Sequence, residues 1–427
     1  MKITRYNEID CVTRTKVPDV DIDWAVVRKV LAEVKQKGDA ALKAYTLQYD
    51  GVALDTFRVD RQVFKNTYDR LDKEIVRPLA EAAARLEIFA QKQLEQLQDF
   101  EFEIAPGVKV GQRVIPLQRV GVYVPGGNFP LVSSLLMGAV PARVAGVKEI
   151  VVCTPPGRSA ILEPAMLAAA YIAGVSELYT IGGIQAVAAL AFGTGSIHAV
   201  DKIVGPGNKY VTAAKKLVYG EVGIDFIAGP SEVLIIADDT ADPAWTAADL
   251  LAQAEHDIMA VSILVTPSLA FAEKVNEEID RQLNGLDTRD IARQALERNS
   301  YILLVETLSQ AVEFSNLKAP EHLELQVENP GLYIPALKNY GTLFIGNYAA
   351  EVLGDYSSGL NHTLPTGGAA RYTGGLSIRD FVKVQTTLRT NQEGIAQIGA
   401  EASRLARLEG LSAHANAVAL RMNRGKI

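Results

Sequence analysis

Cysteine is nearly absent from this chain. Cys11 and Cys153 are its whole complement in 427 residues, too few for a disulfide framework or a cysteine-rich zinc site. Positive charge is also short: 43 Lys and Arg face 50 Asp and Glu, a net charge of −7 with no basic run. That balance argues against nucleic acid or an anionic membrane as partner. No apolar run is as long as a membrane span, and the two most apolar stretches, 132–147 and 161–175, carry Arg143, Glu163 and Pro164. The first eight residues lack the apolar core of a secretory signal. No G-x-G-x-x-G occurs, so spacing alone gives no nicotinamide fingerprint. These absences predict a cytoplasmic protein.

What is present is the composition of a soluble globular chain, 48% hydrophobic and 22% charged. At ~150 residues per domain, the length predicts two to three domains. Residues 1–20 show no clear periodicity and are expected to form an arm. From 21 to about 98 the pattern is helical. Apolar runs suited to buried parallel strands then occur at 120–124, 149–153, 177–181 and 201–204, each followed by a Gly/Pro turn and a helical segment. In a doubly wound sheet ligands sit beyond the carboxyl ends of the strands, where Pro125-Gly126-Gly127, Gly182-Gly183 and Gly205-Pro206-Gly207-Asn208 fall. Turn glycines also serve merely to reverse the chain. A second series has strands at 232–237, 261–266, 301–306 and 341–345, and from 377 the pattern reads as helical to the end. The predicted fold class is α/β: two Rossmann-like doubly wound units, incomplete dinucleotide folds, with an N-terminal arm and a helical C-terminal tail.

Histidine is scarce, at five: His198, His256, His322, His362 and His414. Asp242-Pro243 supplies an N-cap and first-turn proline for a helix whose apolar stripe is Ala247, Leu250, Leu251 and Ala254. Gln253 and His256 share its other side, either as ordinary surface groups or as metal ligands. Glu321-His322 follows Pro320, pairing a base that titrates near neutrality with a carboxylate able to activate water. Side chains of adjacent extended residues diverge, so a shared role needs irregular backbone, which the proline favours. Asp355 and His362 lie in a loop crowded with Gly, Ser and Pro, of the kind that carries binding residues. His198 and both cysteines are assigned to structure, and His414 alone reads as a residue of an amphipathic helix.

Taken together, several segments carry a resemblance. Val120-Gly121-Val122-Tyr123-Val124-Pro125-Gly126-Gly127, Gly205-Pro206-Gly207-Asn208, Ala228-Gly229-Pro230-Ser231-Glu232-Val233, Gln253-Ala254-Glu255-His256, Pro320-Glu321-His322-Leu323, Gly354-Asp355-Tyr356, Asn361-His362-Thr363-Leu364-Pro365-Thr366 and Ala413-His414 resemble, in order and spacing, the histidinol dehydrogenase family. The resemblance spans essentially the whole chain. It implies a zinc-dependent four-electron oxidation of L-histidinol through L-histidinal to L-histidine, with two NAD reduced in succession, at the end of histidine biosynthesis. It implies Gln253, His256, Asp355 and His414 as zinc ligands that also meet substrate, His322 as general base and substrate contact, and Glu321 as activator of water. Ser231, His362 and Glu409 match further substrate contacts, and Tyr123, Gln185 and Asn208 match NAD contacts.

The resemblance also implies a homodimer whose tail, 377–427, crosses to the partner and brings Glu409 and His414 into its site. The expected division places metal and catalytic residues in a first α/β domain, 21–122 with 231–376, and NAD-contacting loops in a second, 123–230. A homologous zinc and NAD dehydrogenase acting on another alcohol, such as a dihydroxy-sulfonate, would keep much of this pattern. Ser231, His362, Glu409 and His414 together favour histidinol. A two-lobed binding protein is the non-enzyme reading, and it gives no reason for Glu321-His322 beside a metal set.

Overall fold

Two six-stranded sheets and one three-stranded sheet organise the computed structural model, which describes residues 1–8, 22–126, 131–157 and 162–423. The first large sheet runs in the order Lys2–Arg5, Tyr301–Leu304, Val261–Thr266, Glu232–Ala237, His322–Gln326, Thr342–Ile345, all neighbours parallel. The second runs Arg58–Val59, Glu177–Thr180, Glu149–Thr154, Arg119–Tyr123, Lys202–Val204, Gly223–Ile224, parallel except at the Arg58–Val59 edge. In each, the chain winds outward from a central strand in one direction and then the other. This is the doubly wound α/β order expected from the sequence.

Continuous apolar strands form because both faces of each sheet are covered. All six residues of Glu232–Ala237 are buried. Val233, Ile235 and Ala237 face one core, while Leu234 and Ile236 face another on the opposite side. The second sheet divides likewise, with Val120, Val122 and Val152 on one side and Val151, Cys153 and Tyr179 on the other. Cys153 is therefore a small core hydrophobe, its thiol pKa raised by burial. Cys11 lies outside the described residues.

The structure differs from expectation in three places. The arm contributes Lys2–Arg5 as an edge strand paired with Tyr301–Leu304, while the rest of it, 9–21, lies outside the described residues. Residues 24–94 pack on the second sheet and not the first. Val27, Val30, Leu31 and Val34 of helix Trp24–Lys37 form a stripe at helical spacing that joins the Tyr123 face. Ala83, Leu86 and Ala90 of helix Lys73–Leu94 join the Val120 face. The grouping of 21–122 with 231–376 does not describe this packing.

The third difference is in the tail, which is not wholly helical. Val382–Thr390 is a strand, antiparallel to Val108–Pro116, which pairs in turn with Phe100–Ala105. Its alternation of Val382, Val384 and Leu388 with Lys383, Gln385 and Arg389 is a period of two, satisfied only by a partner far away in sequence. Helices Gln392–Leu408 and Ser412–Met422 complete the tail. Among the described residues no helix is long and apolar enough to cross a membrane.

One turn shows how closely backbone is packed here. Gly205 has φ +112°, and an added Cβ would overlap the carbonyl oxygen of Tyr123. Its N–H donates to Asp225 Oδ2 at 2.8 Å and its carbonyl accepts from Lys215 Nζ at 2.9 Å, the two side chains forming a buried ion pair. Gly205→Ala should cost about 2 kcal/mol or more, from strain alone. An unfolding midpoint in denaturant equal to the parent's would contradict that close approach.

Candidate active site

Ionisable side chains collect at the amino ends of the first sheet's strands. Glu232 opens one strand and His322 opens its neighbour, with Val233 opposite His322 in register. Helix Pro243–Ala254 follows the first of these strands and returns antiparallel to it. Its carboxyl end, with Gln253 and then His256, therefore arrives at the same edge. Asp242 fixes where it starts, accepting from Ala244 N at 2.8 Å and Trp245 N at 3.3 Å. The short helix Glu351–Tyr356 adds Glu351 and Asp355, one turn apart on one face.

His322 is the hub. Its Nδ1 lies 3.3 Å from the Glu232 carbonyl oxygen, 3.7 Å from Glu321 Oε2 and 3.9 Å from Glu351 Oε1. Acceptors on that side favour the tautomer with hydrogen on Nδ1. Nε2 then carries the free lone pair; it has no hydrogen-bond partner and stands 3.9 Å from Asp355 Oδ1. Glu321 sits just before the strand, after Ala319, a non-glycine residue at φ 53° that ends helix Leu308–Lys318. That irregular backbone lets both adjacent side chains serve one pocket. Glu321 Oε2 accepts from Glu232 N at 2.9 Å, and Ser231 also hydrogen-bonds to this carboxyl.

The loop after Asp355 closes the cluster against the second unit. His362 Nδ1 lies 3.1 Å from the Asp355 carbonyl oxygen, and Nε2 lies 3.1 Å from Ser134 Oγ on helix Val132–Val144. Asn361 Nδ2 donates to the Met137 carbonyl at 2.8 Å.

Burial sets the electrostatics. It depresses His322 to about 3 and His362 to about 4, so both rings are neutral at physiological pH. It lifts Asp355 to about 7 and holds Glu321 and Glu351 well above the usual carboxylate range. His256, exposed at the rim, is also lowered by the protein against its inner side. Donor atoms of His256, Glu351 and Asp355 lie within 4.8 Å of one another, a spacing that can hold a metal ion. One turn before His256, both amide atoms of the fully buried Gln253 lack a protein partner, as does Glu351 Oε2. This is an oxygen and nitrogen donor set without thiolate.

Of the residues singled out from sequence, the fold brings Ser231, Gln253, His256, Glu321, His322, Asp355 and His362 to one end of one sheet. Glu409 and His414 are exposed on the tail and take no part in the cluster of this chain. Tyr123, Gln185 and Asn208 stand at the second sheet's carboxyl ends. Tyr123 is buried, its hydroxyl pushed up to about 12 by burial and accepting from Gly183 N at 3.1 Å. Gln185 Oε1 is buried without a partner. Asn208 caps helix Lys209–Val218, accepting from Tyr210 N at 3.0 Å and Val211 N at 3.1 Å. Sequence reasoning missed Glu232 and Glu351. The spacing of Glu351, four before Asp355, is the signal that would have found it.

These shifts predict a pH dependence for the metal-free protein. A carboxyl whose folded pKa is raised stabilises below its unfolded pKa, and that stability is lost as pH rises through the folded value. The depressed histidines act oppositely, but only below about 6.5, their unfolded value. Above about pH 7, where unfolded histidines hold few protons, the raised carboxyls Asp355, Glu321 and Glu351 set the slope. Chelator-treated protein should lose about 1 kcal/mol for each group titrating there. Thermal melts across this range check the sign, and a midpoint that climbs with pH would contradict it.

The geometry can be set beside known proteins. The profile of the histidinol dehydrogenase family matches residues 14–422. A histidinol dehydrogenase of Geobacillus kaustophilus is 44% identical over 426 residues, covering 100% of both chains. That of Aquifex aeolicus is 47% identical over 399 residues, 93% of this chain and 92% of its own. The crystal structure of histidinol dehydrogenase from Elizabethkingia anophelis has a TM-score of 0.95 and 37% identity, covering 100% of this chain and 99% of that one.

Proposed function

Because the chain belongs to the histidinol dehydrogenase family, we propose that it oxidises L-histidinol through L-histidinal to L-histidine, with zinc and two NAD taken in succession. The observation that carries this reading is His322: a buried, neutral imidazole whose Nε2 has no protein partner, flanked by Glu321 and Asp355. The donors suit a zinc ion, since Gln253 buries an amide with both atoms unpartnered beside His256 and Asp355. Gln253, His256 and Asp355 of one chain would hold it with the partner's His414. Tyr123, Gln185 and Asn208 would contact NAD. When bound, NAD accepts hydride from carbon in each half-reaction, while zinc fixes the substrate's imidazole and amine.

The chain's own groups move the protons. His322 Nε2 takes the hydroxyl proton as the carbon loses hydride, giving the aldehyde. Glu321, in its ionised form, then takes a proton from water attacking that aldehyde, and the hydrated product gives up its second hydride to the second NAD to become the acid. Ser231 and His362 orient the substrate. Burial keeps His322 uncharged, as a base must be before it acts, and screens the aldehyde from escape. The acidic, cysteine-poor composition supports a cytoplasmic site of action.

A homodimer completes the reading. Glu409 and His414 stand away from the cluster of their own chain. The tail and its sheet expose apolar side chains: Phe100, Phe102, Ile104, Val384, Leu388, Leu405, Leu408 and Leu420. A surface of this kind calls for a cover, and a second copy supplies one with two-fold symmetry.

Protein mixed with zinc, NAD and L-histidinol should produce NADH absorbance, two equivalents per histidinol consumed; no reduction under these conditions would end the reading. Glu321→Gln should lower histidinal oxidation about 100-fold or more, with a smaller loss on histidinol, because the amide holds water but cannot take its proton. Equal losses would move Glu321 to a binding role. Homodimers of His322→Ala and of His414→Ala should each be inactive. Exchanged in equal amounts, half the dimers carry one intact site each, restoring roughly a quarter of parental activity if sites are independent. Tagged mixed dimers that form yet stay inactive would refute the shared site.

A further inference from the structure

Glu232 touches the candidate machinery through both polar atoms of its backbone. Its N–H donates to Glu321 Oε2 at 2.9 Å and its carbonyl oxygen lies 3.3 Å from His322 Nδ1. Its side chain faces elsewhere. Oε2 pairs with Lys318 Nζ, and Oε1 accepts from Gly367 N at 3.0 Å. Glu232 is 3% exposed and Lys318 8%, so this is a buried ion pair.

Both ends of the pair lead to the site. Lys318 is the last residue of helix Leu308–Lys318, followed by Ala319 at φ 53°, Pro320, Glu321 and His322. Gly367 ends the stretch that begins at His362. That stretch is also tied to Gly229 N through Thr366 Oγ1. Arg371 reaches the Leu317 carbonyl from the same side. Three separate segments thus meet on one carboxylate: the turn before Glu321, the strand start after Ser231, and the loop after His362.

We propose that the buried Glu232–Lys318 ion pair is a positioning device for Glu321 and His322, setting the turn that presents both side chains. Neither the Glu232 nor the Lys318 side chain is among the groups assigned to substrate or zinc. The pair sets how the strained turn at Ala319 and Pro320 lies against the first strand. Strained backbone beside a site persists only when its surroundings over-determine it, and here the pair supplies that constraint. Misplacement of a reacting group by about 1 Å costs about 100-fold in rate, so loss of the constraint is read in turnover.

The test, which rests on the reading of the site as that of a histidinol dehydrogenase, uses the full-length zinc-loaded enzyme with NAD and L-histidinol. Lys318→Met leaves Glu232 buried without its cation; kcat should fall about 10- to 100-fold while KM for histidinol stays within about threefold. The double variant Glu232→Gln with Lys318→Met removes both charges, keeps an acceptor for Gly367 N, and should melt near the parent, since paired removal of a buried ion pair is well tolerated. Its kcat should lie between those of Lys318→Met and the parent, still several-fold below the parent. This double variant keeps the test available if Lys318→Met fails to fold. A double variant with parental kcat overturns the proposal, because the pair then serves stability alone. So does parental kcat in Lys318→Met, or a loss carried mainly by KM. Failure of the parental enzyme to reduce NAD with histidinol is a different outcome, and it strikes the functional reading instead.

Discussion

Burial of many acids around the strand His322–Gln326 is the constraint on which the rest of the site depends. Asp249, Glu321, Glu324, Glu351 and Asp355 are all pushed upward, burial being the largest cause in each. A buried carboxyl is tolerated when it is protonated, hydrogen-bonded or offset by a cation. Each solution is used here. Glu321 takes a backbone N–H, Asp249 and Glu324 share the amide of Gln326, and Glu232 has Lys318. Glu351 Oε2 and the Gln253 amide are left without a protein partner. Of the positions left over, Gln253 Oε1 is one that the proposed metal ion would satisfy.

The fold explains why these groups converge. Helices that follow parallel strands run back along them, so a helix carboxyl end and the next strand's amino end meet at one edge of the sheet. Gln253 and His322 come to the same edge for that reason, although 69 positions of sequence number separate them. The second sheet works the other way, with Tyr123, Gly183 and Asn208 at the carboxyl ends of its strands, where dinucleotides bind in doubly wound folds. His362 joins the two ends of this arrangement, with Ser134 on one ring nitrogen and the Asp355 backbone near the other. The loop that orients substrate in the proposed reaction is also the strap between the units.

Strands whose pattern is continuous and apolar were legible in the sequence. Glu232–Ala237 and Val261–Thr266 occur over the predicted residues because burial on both faces leaves one composition that fits. Val382–Thr390 was not legible, since its charged and apolar residues alternate and its partner lies about 270 residues earlier. The packing of helix Trp24–Lys37 was likewise hidden. An apolar stripe says that a face is buried, and it does not say against which sheet. In the site, Glu321 and His322 were legible as chemistry but not as geometry, because their convergence depends on Ala319 at φ 53°. Glu232 was hidden for a different reason: its backbone contacts the candidate catalytic side chains while its own side chain looks away.

The tail repeats that logic at larger scale. Val382–Thr390 pairs along its full length with Val108–Pro116, so the strand's register, and not a loose linker, fixes where helices Gln392–Leu408 and Ser412–Met422 begin. Phe381, fully buried in the core beside the second sheet, anchors the strand's first residue. Gly107 packs against Gly394 and Asn391 at its far end, where an added Cβ on either glycine has no room. An arm held at both ends of its strand has a defined reach. If the partner's cluster receives Glu409 and His414, their placement is set by backbone pairing in the donor chain. Zinc coordination tolerates misplacement of only a few tenths of an ångström, and a side chain delivered on a flexible tail would not meet that tolerance. The shared-site reading therefore requires the rigid strand that the sequence pattern concealed.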